Sequence, residues 1–127
     1  MFNTRRLVLF ALLLLSAAAA CGPSGGSPTP RRNANLITHE EVQGSYFTNA
    51  YDIVQNLRPS WLTRRNGLPP GTEFPVYLDE QRVGSLNALR QVEKNLIREI
   101  RYIDPNTATN RWGLGHSAGA IQVMTER

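Results

Sequence analysis

Apolar residues recur with a helical period in the first half of the chain and with a strand period in the second. Val42, Tyr46, Ala50, Ile53, Val54 and Leu57 follow one another at steps of three or four, while His39, Glu40, Gln43, Asn49 and Asn56 mostly fall off that stripe. The spacing predicts one long helix over 38–57 with a single buried face. Thr38 and Glu41 have the form of a capping box, and Ile37 is placed to staple against Val42. Gly44 weakens such a helix by about 1 kcal/mol relative to alanine, so the helix must draw on tertiary packing. Pro59 is expected to end it, because the residue before a proline avoids helical backbone.

Beyond residue 73 the pattern changes. Phe74 to Leu78 reads as a strand, and Gln81 to Val83 reads as a short return across an Asp79-Glu80 turn. Ser85 can cap a helix covering Leu86, Leu89 and Val92, which hands over through Lys94-Asn95 to Ile97. Ile97, Ile100, Tyr102 and Ile103 alternate with Arg98, Glu99 and Arg101, a strand that Asp104-Pro105 stops. Pro105 to Trp112 is expected to turn helically, since proline suits the first helical turn. Gly113, Gly115 and Gly119 then mark a tight connection to a last strand, in which Ile121, Val123 and Thr125 share one face. Strand, helix and strand in that order suggest a right-handed crossover that sets 74–78 and 97–103 in parallel. The expected architecture is α+β: a small mixed sheet of three or four strands with helices packed on one face, around one modest core.

The residues from Phe74 to Arg127 resemble the end of the plug domain of TonB-dependent outer-membrane receptors. There an I-x-x-I-x-V strand precedes a small-residue turn, an aromatic-glycine pair and a closing G-x-I-x-V-x-T strand. The corresponding positions are Ile97, Ile100 and Tyr102, then Ala108, then Trp112 with Gly113, then Gly119, Ile121, Val123 and Thr125. Pro75 to Asp79 resembles an earlier plug strand that ends in an Asp-Gly turn, with Glu80 in place of the glycine. Arg98 and Arg101 stand where the plug strand commonly carries glutamates. The resemblance implies a plug-like fold and a non-enzymatic binding or accessory role in envelope transport, alongside an outer-membrane barrel or another envelope protein.

The first residues carry an address rather than a fold. Arg5 and Arg6 precede the apolar run Leu7 to Leu15, so 1–20 reads as a signal peptide. Cys21, the one cysteine, follows Ala17 to Ala20 directly, a position that resembles a bacterial lipobox, in which the cysteine is lipidated and becomes the first mature residue. Ordinary signal-peptidase cleavage after Ala20 would instead leave a free terminal thiol. Gly22 after the cysteine, rather than aspartate, suits an outer-membrane lipoprotein facing the periplasm. Residues 21–35, rich in Gly, Ser and Pro, form a flexible tether, and 36–127 form the single plug-like domain.

Composition narrows the partners. A chain of 127 residues has no room for a barrel of its own, which takes about eight strands of roughly 9–11 residues. Loss of Arg5 and Arg6 with the signal lowers the formal charge from +4 to +2, too little to argue for nucleic acid. The expected partners are the membrane, through the lipid, and envelope protein.

Candidate chemistry is sparse. Arg58, Arg64 and Arg65 flank Trp61 in a possible binding loop that could grip a carboxylate, a phosphate or a sugar. The plainer reading has Trp61 and Leu62 closing the end of the helix-sheet core, since they follow directly on the helical stripe. His39 and His116 are expected at exposed positions, the latter in the glycine turn. No nucleophile motif, metal-ligand spacing or cofactor loop is present, so no catalytic residue, metal or cofactor is expected. Two alternatives to the envelope-binding role remain, a small-ligand binder using the Trp61 loop and, with only unpaired acids to support it, a hydrolase of envelope polymers.

Overall fold

The structure is a computed structural model that describes residues 32–63 and 67–126. The signal peptide, Cys21, most of the tether, Arg64 and Arg65 lie outside the described residues. Order begins before residue 36: Leu36 N–H donates to Asn33 O at 3.1 Å, and Trp61 Nε1 donates to Ala34 O at 2.9 Å.

Five strands form one mixed sheet in the order β1-β4-β5-β2-β3, with β1 at Leu36–Ile37, β2 at Val76–Leu78, β3 at Gln81–Gly84, β4 at Ile97–Ile103 and β5 at Ala120–Thr125. The architecture is α+β, with one strand more than the three or four expected from the sequence. The added strand is β1, whose Leu36 and Ile37 pair antiparallel with Arg101 and Ile100.

The expected parallel association of 74–78 with 97–103 is not formed. β5 lies between them, parallel to β2 and antiparallel to β4, so β2 and β4 run in opposite directions two strands apart. The reason lies in the connection. The β2-β3 hairpin brings the chain back to the starting end of β2, since Gly84 pairs with Val76. Residues 85–96 then carry it the length of the sheet, so β4 begins beside Thr125 at the far end and runs downward. Ala120 to Val123 are buried on both faces, which suits an interior strand.

The helical stripe is real but interrupted. Helix α1 (His39–Gln43) has the expected capping box, with Glu41 N–H donating to Thr38 Oγ1 and Thr38 N–H donating to Glu41 Oε2. It stops at Gly44, and α2 (Ala50–Leu57) restarts on a new cap, Asn49 Oδ1, which accepts from Asp52 N–H at 3.0 Å. The predicted single helix 38–57 is therefore two. Gly44, Ser45, Thr48 and Asn49 are poor helix formers that compete for backbone groups, and Lys94 rewards the break. Its Nζ donates to Gln43 O at 2.9 Å and Ser45 O at 2.6 Å, taking carbonyls that a helix would otherwise use. Val42, Ala50, Ile53 and Val54 stay on the buried face, whereas Tyr46 leaves the stripe and is fully exposed. Pro59 ends α2 and opens α3 (Pro59–Thr63), as its fixed φ allows at a first helical position.

The segment expected as a helix after Ser85 forms two 3₁₀ turns, Leu86–Gln91 and Lys94–Leu96, and Ser85 makes no side-chain cap. Leu86, Leu89 and Val92 recur every three residues, which is the 3₁₀ period rather than the α period.

One core lies between the sheet and these segments. Ile37, Val76, Ile97, Ile100, Tyr102, Ile121 and Val123 face Val42, Ile53, Val54, Trp61, Phe74 and Leu89. Ile97 and Ile100 are three apart yet both buried, because the β4-β5 register shifts between Ile97 and Glu99 and turns Ile97 inward. The last helix, α4 (Pro105–Trp112), packs on the opposite face, where Ala108 and Trp112 cover Tyr77, Ile103 and Ala120, so helices flank both faces of the sheet and not the one expected.

Candidate functional site

The residues from β4 to β5 form the most tightly specified part of the domain. Asp104 caps α4, accepting from the N–H groups of Asn106 and Thr107 at 3.1 Å each. Hydrogen bonds from Thr107, its hydroxyl first, hold the Asp104 carboxyl below its ordinary range, outweighing a small opposing effect of desolvation. The return to β5 passes through Gly119 at φ +82°, where a Cβ would meet Ile103 O at 2.5 Å and the Tyr102 hydroxyl at 2.6 Å. Tyr102 in turn donates to Ala118 O at 3.0 Å. The corner therefore needs both the left-handed backbone and the missing side chain.

Beneath α4, the Trp112 ring stacks on Tyr77 with centroids 3.8 Å apart and planes 9° from parallel. His116 is buried here, contrary to its expected exposure in the turn. Its Nδ1 lies 2.7 Å from Gly113 O and its Nε2 lies 2.8 Å from the Tyr77 hydroxyl. A carbonyl can only accept, so Nδ1 carries the hydrogen and Nε2 accepts from Tyr77. The imidazole thus closes the turn onto the sheet, which the turn's glycines alone did not reveal.

Asp79, at φ 55° in the hairpin turn, clasps the end of β5. Its carboxylate accepts from Thr125 N–H at 3.0 Å and from the Thr125 hydroxyl at 2.8 Å. Buried Gln122 donates to Asp79 O and Glu80 Oε1 and accepts from Arg111, which also pairs with Glu80. The motif residues Asp79, Ile97, Ile100, Tyr102, Trp112, Gly113, Gly119, Ile121, Val123 and Thr125 are thus brought into one continuous unit by β4, α4, β5 and the hairpin. Asp79, Gln122, Arg111, Tyr102, Asp104 and His116 all turn their polar groups to neighbours in the same domain.

Of the proposed loop around Trp61, the two described members, Arg58 and Trp61, do not form a surface site. Trp61 is fully buried, 6.0 Å from Tyr102 between ring centroids. Arg58 is almost buried and donates to Leu57 O, Leu36 O and the Glu41 carboxylate. Both side chains lock the N-terminal turn to α2 and α3, so neither faces a ligand. Among the described residues, no three His, Cys, Asp or Glu side chains are placed to hold a metal ion, and no helix is long and apolar enough to cross a membrane.

Among the described residues, two open hollows of about 580 Å3 each accompany a smaller one of about 300 Å3 beside Tyr51 and Phe74. Of the larger pair, one lies at the end of the sheet, between Asp79, Glu80, Arg98, Met124, Thr125 and Glu126. Its charged groups are already engaged: Asp79 with Thr125, Glu80 with Arg111, Arg98 with Glu99, and Glu126 with His39. The other lies between the 45–49 loop and the 3₁₀ turns, lined by Tyr46, Phe47, Thr48, Arg90, Glu93 and Asn95 among others. Reasoning from the sequence missed this cleft, because Tyr46 fitted the helical stripe. The run Gly44-Ser45 followed by Thr48-Asn49 was the available signal for a loop.

No family model matches the chain, and neither a curated protein nor a solved structure is similar to it.

Proposed function

We propose that this chain is a non-enzymatic lipoprotein of the bacterial envelope, anchored through Cys21 in the outer membrane, whose plug-like domain docks on envelope protein and serves transport. The observation that carries the plug-like reading is the arrangement of β4 and β5. They are immediate antiparallel neighbours, joined by α4 and a glycine corner in which Gly119 touches Tyr102 and Ile103, with Trp112-Gly113 ending the helix. That β4, the glycine turn and β5 form one unit supports the plug-like reading. At the end of the sheet, the engaged state of the carboxylates favours binding over hydrolysis. Asp79, Glu80 and Glu126 line one hollow, but each is held by a neighbour, so none is left poised as a general acid or base. Burial of Trp61 and Arg58 argues against a ligand site on that loop.

Two measurements test this reading. A fatty-acid probe should label the wild-type protein in cells and leave Cys21→Ser unlabelled; labelling of both would refute anchoring at Cys21. Cross-linking in intact envelopes, followed by capture of the full-length protein, should recover an outer-membrane barrel or a transport protein above a mock control. Recovery of none would remove the transport role while leaving the anchoring result standing.

A further inference from the structure

The cleft between the 45–49 loop and the 3₁₀ turns differs from the hollow at the sheet end in one respect that bears on binding. Among the described residues, the side chains of Tyr46, Thr48, Glu93 and Asn95 make no hydrogen bond or ion pair, although all four line the same cleft. Their frame is firmly held. Lys94 N–H donates to Thr48 O at 2.8 Å, Ala50 N–H donates to Val92 O at 2.9 Å, and Lys94 Nζ grips Gln43 O and Ser45 O. A built loop therefore presents a fully exposed tyrosine beside three further polar side chains that have no protein partner. Water can serve those groups, but tyrosine is also among the residues that most often anchor a bound partner.

We infer that this cleft is a saccharide-binding subsite. A sugar ring offers an apolar C–H face and hydroxyls that each donate and accept. Tyr46 supplies a flat apolar surface for the first. Glu93 as acceptor, Asn95 and Thr48 as both, and Arg90 as donor supply partners for the second. Arg90 is stacked on Tyr51 at 3.7 Å, which fixes its guanidinium at the rim. Competing chemistries fit less well. The Glu93 carboxylate repels a phosphate, and the one lysine of the wall already donates to carbonyls. An apolar ligand would desolvate four polar groups for the sake of one open ring, since Phe47 is already partly buried. The cleft volume of about 580 Å3 lies within the ~300–1,000 Å3 usual for small-ligand sites. The inference rests on this domain's own residues and not on the anchoring or on the plug-like reading.

The test is a titration of the full-length protein, labelled with nitrogen-15 and held in a detergent without a sugar headgroup. Chitotetraose and maltotetraose are the probes, each taken to millimolar concentration. At least one should cause saturable shifts confined to 45–49 and 90–95. Tyr46→Ala, which removes a fully exposed ring and leaves the core intact, should weaken that binding roughly tenfold, and Glu93→Gln should weaken it several-fold. Absence of saturable shifts with both probes, shifts centred elsewhere, or unchanged affinity in a folded Tyr46→Ala protein would each overturn the assignment.

Discussion

Substituting Gly119 by alanine places a methyl group where the structure has no room. The new Cβ would stand 2.5 Å from Ile103 O, 2.6 Å from the Tyr102 hydroxyl and 2.8 Å from the adjacent ring carbon. The ring could swing away, but Ile103 O belongs to the backbone of β4 and moves only if the β4-β5 pairing moves with it. Two costs combine. A side chain at φ +82° costs about 1–2 kcal/mol on steric grounds, and forcing an extra carbon into a packed corner costs roughly 1–3 kcal/mol more. The expected loss of about 2–5 kcal/mol is a large part of the ~5–14 kcal/mol available to a domain of this size. Gly115→Ala is the matched control: its φ is +98°, yet a Cβ there meets nothing within 4 Å, so it should lose only the backbone contribution of about 1–2 kcal/mol. Urea unfolding followed by far-ultraviolet circular dichroism measures both. Equal losses in the two variants would show that the close approach to Tyr102 and Ile103 carries no energy, and a Gly119→Ala protein as stable as wild type would refute the corner's role altogether.

Two further outcomes follow from groups described above. Trp61→Ala should cost about 3–5 kcal/mol and broaden or abolish cooperative unfolding without altering saccharide shifts in protein that stays folded; a stable variant that loses a ligand instead would restore Trp61 to a surface role. Because the Asp104 carboxyl is held below its ordinary 3.8 by hydrogen bonds in the folded state, its contribution to stability is complete above that value and is lost as pH falls through the lowered one. Asp104→Ala should therefore lower stability at neutral pH and flatten the acid limb of the stability-pH curve, and an unchanged acid limb would contradict this.

The parts of this fold that can be read from the chain are those decided locally. Asp104-Pro105 stops β4 and starts α4 with chemistry contained in two residues, and the Thr38-Glu41 capping box spans four. Periodicity located the buried face of α2 and the faces of β5 for the same reason. Tyr46 misled because a stripe drawn through it is continuous, while the break at Gly44 is rewarded by Lys94, fifty positions away. Pairing order was equally hidden. β2 meets β5 rather than β4 because of where residues 85–96 deliver the chain, and a three-residue apolar period read as α hid a 3₁₀ path. His116 looked like a loop residue until Tyr77, thirty-nine positions earlier, was found opposite its ring. The 45–49 loop carried a turn signal in Gly44-Ser45 and Thr48-Asn49, but its meeting with residues 90–95 in one cleft had no such signal, since that depends on tertiary packing.

The central place of β5 also governs how the sheet can come together. Until that strand arrives, the earlier β-segments amount to the short β2-β3 ribbon on one side and β4 with two residues of β1 on the other. Ribbons of that length have little independent stability in water. A polypeptide fed through a narrow channel would thus leave this sheet slack until residues 120–125 had passed, then lock it as β5 slid between the waiting halves.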